Sequence, residues 1–153
     1  MDNKIFNIVL FAPQIPQNTG NIGRLCVCAG AKLHLIKPLG FSLEEKYILR
    51  AGMDYWKYVD LTVHDTFEDL LKIIKKQKSN FYFLSTKTKK SYLECPYKDG
   101  DFLIFGNEGT GLPTEIYEFY QEQLFNIPMP GQYARSLNLS NSVAIVLYQA
   151  LQT

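Results

Sequence analysis

Cysteine is scarce in this chain of 153 residues: only Cys26, Cys28 and Cys95 occur. An odd, sparse set excludes a disulfide scaffold and points to a reducing, cytoplasmic compartment. No run approaches the roughly 18 apolar residues that span a bilayer, so no membrane partner is expected. Charge of one sign is also lacking, because 16 Lys+Arg against 15 Asp+Glu leave +1. That excludes a histone-like, charge-driven binder of nucleic acid but leaves room for a local basic face. Metal-ligand spacing is absent too. Cys26 and Cys28 point about 200° apart on a helix, and His34 and His64 have no ligand-spaced neighbours, so no metal is expected.

What is present is core material: 46% hydrophobic and 14% aromatic residues. This excludes disorder or low complexity, and the length fits one domain over 1–153. Lys4 followed by Ile5–Ala12 mimics a short signal peptide. Asn7 interrupts it, Pro13 and Pro16 follow and no small-residue cleavage pattern appears, so a buried first strand is expected.

The hydropathy pattern predicts strands at Ile5–Phe11, Lys32–Ile36, Leu61–His64, Phe81–Ser85, Phe102–Phe105 and Leu124–Ile127. Between them fall helical segments. Asn18 or Thr19 would cap a helix over Asn21–Ala29, stopped by Gly30. Ser42 with Glu45 forms a capping box for a short helix to about Ala51, and Asp65 with Glu68 repeats that spacing before a helix through Gln77. There Phe67, Leu70, Leu71 and Ile74 share one face; Lys72, Lys75, Lys76 and Lys78 make a solvated end. Thr86–Gly100 reads as a polar loop, and Pro113 opens a helix carrying Glu115 and Glu118. Alternating strands and helices mean an α/β fold with a mostly parallel sheet flanked by helices.

The last helix, Leu139–Leu151, lies in a stretch from Ser136 to Thr153 without a charged side chain. Leu139, Val143, Val146, Leu147 and Ala150 form an apolar stripe, and Ser140, Ala144 and Tyr148 a small-residue face. Such a helix wants burial on most sides, so this terminus should be held inside the fold, against a partner subunit, or both.

Three segments carry chemistry. Pro16-Gln-Asn-Thr-Gly-Asn-Ile-Gly-Arg24 follows the first strand, where open α/β sheets bind ligands. Asn18, Asn21 and Arg24 would surround a helix N-terminus suited to an anion such as phosphate. Phe105-Gly-Asn-Glu-Gly-Thr-Gly-Leu-Pro113 has glycines that allow close backbone approach to a ligand. Its G-x-x-G-x-G order is neither a Rossmann fingerprint nor a P-loop. Ile127-Pro-Met-Pro-Gly…Arg135-Ser-Leu-Asn-Leu-Ser-Asn141 leads into the uncharged helix, with Ser136 and Asn138 in capping positions.

With Ala51-Gly-Met-Asp-Tyr-Trp56, and in this order and spacing, these segments resemble the motifs of the SPOUT superfamily of knotted methyltransferases. The chain is similar to its small YibK-like group, the tRNA (cytidine/uridine-34)-2′-O-methyltransferases. The resemblance implies an α/β knot whose C-terminal helix threads a loop into a trefoil, a homodimer packed through the first and last helices, and tRNA bound at its anticodon loop. It implies S-adenosylmethionine as methyl donor, held by Leu84, Gly106, Asn107, Glu108, Ile127, Met129, Ser136 and Leu137. It assigns the transfer to Arg24, Asn18, Glu108, Ser136 and Asn138. Two features depart from the small relatives. Asn107-Glu108-Gly109 is closer to guanosine 2′-O-methyltransferases of the superfamily, and the loop Pro130–Ala134 is one residue longer. Methylation of another tRNA or rRNA nucleotide, or a non-catalytic RNA-binding module of the same fold, are the alternatives at this point.

Overall fold

Strand residues of alternating orientation cover two different layers, and that alternation sorts this chain. The computed structural model describes residues 3–44, 53–134 and 136–153. Strands β1 (Asn7–Phe11), β2 (Lys32–Ile36), β3 (Leu61–His64), β4 (Phe81–Leu84), β5 (Phe102–Phe105) and β6 (Leu124–Phe125) form one sheet in the order β3-β2-β1-β5-β4-β6. Every pairing is parallel, so the expected sheet is parallel throughout, and its first strand is central.

Among the described residues four α-helices cover it: α1 (Pro16–Ala29), α2 (Phe67–Gln77), α3 (Thr114–Phe119) and α4 (Leu139–Leu151). On one face Ile8, Leu10, Leu33, Leu35, Leu103 and Phe105 pack with Ile22 and Cys26 of α1 and with Val143, Val146, Leu147 and Ala150 of α4. On the other, Val9, Ile36, Phe83, Phe102 and Ile104 pack with Phe67, Leu70 and Ile74 of α2 and Ile116 of α3. Each such side chain taken fully out of water contributes about 1.5–3 kcal/mol. Burial of Ala150 and Leu151 holds the chain's last turn inside the fold, as the uncharged terminus required. Cys26 is buried and Cys28 exposed, on opposite sides of α1.

Several boundaries differ from the sequence reading. Helix α1 begins at Pro16, not Asn21, and neither Asn18 nor Thr19 caps it; its N-cap is Ile15, which has no capping side chain. Proline fits the first turn because no intrahelical N–H bond is lost there. Helix α2 is capped by Thr66, whose hydroxyl accepts from the Asp69 N–H at 3.1 Å, one residue beyond the expected Asp65. The loop after β4 is not merely polar. Ser91 and Glu94 form a capping box around a short 3-10 turn, Tyr92–Glu94, and Cys95 and Tyr97 are buried in the core. Gly30 does end α1, at φ 66°. The helix expected after Ser42 lies outside the described residues. No helix of the described residues is long and apolar enough to cross a membrane.

Candidate active site at the carboxyl ends of the strands

The sheet order reverses at β1, whose neighbours are β2 and β5. Loops leaving β1 and β5 therefore diverge and open a crevice at the strands' carboxyl ends. The second glycine-rich segment fills this crevice. Asn107 Oδ1 accepts from the N–H groups of Gly109 (3.1 Å) and Thr110 (2.7 Å), and from the Thr110 hydroxyl (3.1 Å). The Asn107 and Gly111 backbones bond each other in both directions at 3.2 Å. A Cβ at Gly106 would lie 2.3 Å from the carbonyl carbon of Gly111. The close approach that demands glycine there is thus to the loop's own backbone, rather than to a ligand as the sequence suggested.

This loop aims Glu108 back at α1. Its carboxylate accepts from the N–H of Gln14 (3.0 Å), the N–H of Ile15 (2.9 Å) and the side-chain amide of Asn18 (3.2 Å). Burial alone would raise the Glu108 carboxyl. Donors from Gln14, its own backbone, Asn18 and Ile15 outweigh burial and hold the group below the usual carboxylate range. Glu108 is thus the missing cap of α1, supplied from about ninety residues away, and its charge suits the positive helix end. The anion expected at this N-terminus is a side chain of the protein, not a phosphate.

The chain of bonds continues. Asn18 Oδ1 accepts from the Asn138 amide at 3.1 Å. Asn138 Oδ1 in turn caps α4, accepting from the N–H of Ser140 (2.9 Å) and Asn141 (3.4 Å). Of the two expected caps, Asn138 takes the role and Ser136 does not. Glu108, Asn18 and Asn138 therefore tie the three sequence segments together.

A cleft of about 560 Å³ opens beside this chain, within the usual range for small-molecule sites. Leu84, Gly106, Asn107, Glu108, Ile127, Met129, Ser136 and Leu137, the residues expected to hold a methyl donor, all line it, as do Asn18 and Asn138. Sequence reasoning missed Tyr117, whose ring lies 4.5 Å below the Lys87 ammonium and whose hydroxyl accepts from Ser85 at 3.4 Å. Its position in α3, shortly after the glycine loop, was the available signal. Arg24 is not among the lining residues. It is exposed on α1 with its guanidinium 4.9 Å from the centre of the Tyr55 ring. Arg135 lies outside the described residues.

A model of the family described as SpoU rRNA Methylase matches residues 5–148. A tRNA (cytidine(34)-2′-O)-methyltransferase from Methylovorus glucosotrophus is 45% identical over 147 residues, covering 95% of this chain and 94% of that protein. A solved structure described as "Structural insights into the 2-OH methylation of C/U34 on tRNA" aligns with TM-score 0.90 at 40% identity, over 97% of this chain and 95% of that one. An AdoMet-bound rRNA methyltransferase from Sinorhizobium meliloti aligns with TM-score 0.86 at 24% identity, over 99% of this chain and 57% of that one; that likeness is one of fold.

Proposed function

The chain belongs to the SpoU rRNA Methylase family, and from that premise we propose that it moves a methyl group from S-adenosylmethionine to the ribose 2′-hydroxyl of cytidine or uridine 34 in tRNA. The observation that carries this reading is the convergence of three distant segments, joined through Glu108, Asn18 and Asn138, on one cleft. The choice of nucleotide rests on the relative of nearly equal length.

The cleft fits the donor by its chemistry. Leu84, Ile127, Met129 and Leu137 give apolar walls for an adenine, and Ser136, Asn107 and the loop backbone give polar groups for a ribose and an amino acid. S-adenosylmethionine supplies an electrophilic methyl group on a sulfonium. The protein's contribution is alignment, worth several kcal/mol when the reacting atoms are held in line. Glu108 and Asn18 fix the first and second segments against each other; Asn138 fixes the third, and Ser136 borders the acceptor. Arg24 is not a base, because guanidinium stays charged. It grips a backbone phosphate or stabilises negative charge growing on the 2′-oxygen, while a phosphate oxygen takes the proton.

Arg24 stands outside the cleft of its own subunit, so in this reading it is delivered across a homodimer interface formed by α1 and α4. The half-buried Ser140, Ala144 and Tyr148 of α4 and the exposed Ile145 suit such packing. The threaded C-terminus and a single cytoplasmic domain over 1–153 belong to the same reading; burial of Leu151 supports the threading.

The test is to incubate the protein with labelled S-adenosylmethionine and unmodified total RNA, then map the label. Label on the 2′-oxygen of nucleotide 34 is expected. Label confined to ribosomal RNA would overturn the substrate, and no label on any RNA would favour a binding module. The native mass should be that of a dimer, and a monomer with full activity would remove the interface.

A further inference from the structure

Arg24 is an exposed cation whose surroundings are unusual. Among the described residues it has no carboxylate partner; the ion pair found there joins Lys37 and Asp65. What it has is a flat aromatic surface, the Tyr55 ring, 4.9 Å below its guanidinium carbon. Tyr55 sits in a 3-10 turn, Met53–Tyr58, that would be free to drift on such a short hydrogen-bonding pattern. It is instead clamped on α1. A Cβ at Gly23 would lie 2.7 Å from the Trp56 ring and 3.2 Å from Val59, so glycine lets Trp56 lie directly on the helix backbone. Trp56 and Val59 also pack on the main core. Gly23 thus docks the turn, and the turn carries Tyr55 to the side chain of the very next residue, Arg24.

We propose that Tyr55 is a positioning residue for Arg24, holding its guanidinium flat so that the in-plane N–H groups face an oxyanion of the RNA backbone. This rests on the reading above, in which Arg24 acts on the reacting ribose or its phosphate. The chemistry favours a ring over an acid. A carboxylate would bind Arg24 through the same N–H fork that must meet the substrate, and would cancel its charge. An aromatic face attracts the cation through its quadrupole and leaves the fork free. It also removes rotamer freedom from a long side chain before substrate arrives. The Tyr55 hydroxyl has no hydrogen-bond partner among the described residues, so the ring, not the hydroxyl, is what Arg24 uses.

The experiment compares the full-length protein with Tyr55→Leu, Tyr55→Phe and Arg24→Ala, and with the Tyr55→Leu/Arg24→Ala double variant. Transfer of labelled methyl to unmodified tRNA is read as kcat and KM, beside S-adenosylmethionine affinity and Tm. Tyr55→Leu should lower kcat/KM for tRNA about fivefold, the scale of an exposed cation–π contact, with donor affinity and Tm unchanged. Tyr55→Phe should restore transfer to within about twofold, and Tyr55→Leu should have no further effect once Arg24 is alanine. Equal loss in the leucine and phenylalanine variants would assign the role to the hydroxyl and overturn the proposal. So would unchanged transfer in Tyr55→Leu, or a loss that follows Tm or donor affinity. Full activity of Arg24→Ala is a separate failure: it would remove the catalytic reading on which this inference stands.

Discussion

Among the described residues two chains of polar side chains can be compared, and one of them opens on a cleft. The first joins Glu108, Asn18 and Asn138 at the carboxyl ends of β1 and β5. The second joins Asn7, His34 and His64 across β1, β2 and β3. Asn7 donates to the Gly100 carbonyl at 3.1 Å, which leaves its oxygen to accept from His34 Nε2–H at 2.9 Å. Neutral His34 then accepts at Nδ1 from His64 Nε2–H, also at 2.9 Å. This tautomer assignment follows from the network. The histidine chain is shut on the α2 side of the sheet: His34 is 6% exposed, with its ring nearly parallel to that of His64 and tilted against Phe102. Its members touch neighbouring strands and no cleft. The carboxylate chain joins segments about ninety and more residues apart and opens on a cavity. Buried hydrogen bonding by itself specifies packing; connection to a cavity through the loops at the strands' carboxyl ends is what adds chemistry.

Cutting the first chain at its charged end should have the largest effect on transfer. Glu108→Ala strips the cap from α1 and releases the glycine loop from it. We expect a loss of about 2 kcal/mol of stability, as for a charge-assisted hydrogen-bonded group, and a fall in kcat of about a hundredfold, the scale of small misplacements at a reacting centre. Denaturant unfolding and single-turnover transfer measure the two. A variant with normal kcat would reduce Glu108 to a structural cap.

Asn138→Ala comes next. It frees Asn18 and uncaps α4, so stability should drop by about 1 kcal/mol and transfer by about tenfold. The carboxylate keeps its backbone donors, which is why the effect is smaller. If Asn138→Ser, which retains a capping oxygen, restores stability but not transfer, the bond to Asn18 is the part that matters for chemistry.

The contrast also explains how much was legible in the sequence. β2, β3, β5 and α4 match their expected limits because apolar runs or stripes and Gly or Pro stops act locally. The residues gathered around the cleft were legible through the family pattern, and the structure does bring them together. The cap of α1 was not legible. Asn18 and Thr19 are good local caps, but the helix starts earlier, and the carboxylate of Glu108 takes the N–H groups of Gln14 and Ile15 at that start from the other side of the switch point; no local rule contains that partner. The histidine pair was missed for a similar reason: His34 and His64 meet only because Ile36 pairs with His64 in the β2–β3 register, which strand spacing does not specify. The family pattern assigns the transfer to Arg24 together with Asn18, yet helix geometry turns Arg24 to the exposed side of α1, away from the cleft lining.

The second chain should have the smallest effect on transfer and the clearest effect on acid stability. Burial first, then the charges of His64 and Lys32, push His34 from 6.5 down to about 4. The unfolded chain therefore binds a proton at a pH where the folded one does not. Its contribution is complete above pH 6.5 and is lost as the pH falls towards 4, by at most about 3 kcal/mol. Glu108, held below its usual value, keeps its contribution until the pH falls further, so the histidine chain yields before the carboxylate chain. His34→Gln keeps an amide donor for Asn7 and removes the His34 titration, leaving that of His64, which burial also lowers. It should reduce the loss of stability between pH 6.5 and 4 and leave methyl transfer at pH 7.5 unchanged, because no atom of that chain lines the cleft. Urea unfolding across that pH range, paired with a transfer assay, measures both. A drop in transfer with stability intact would mean that the sheet conveys the state of the closed chain to the open one, and the separation between the two would fail.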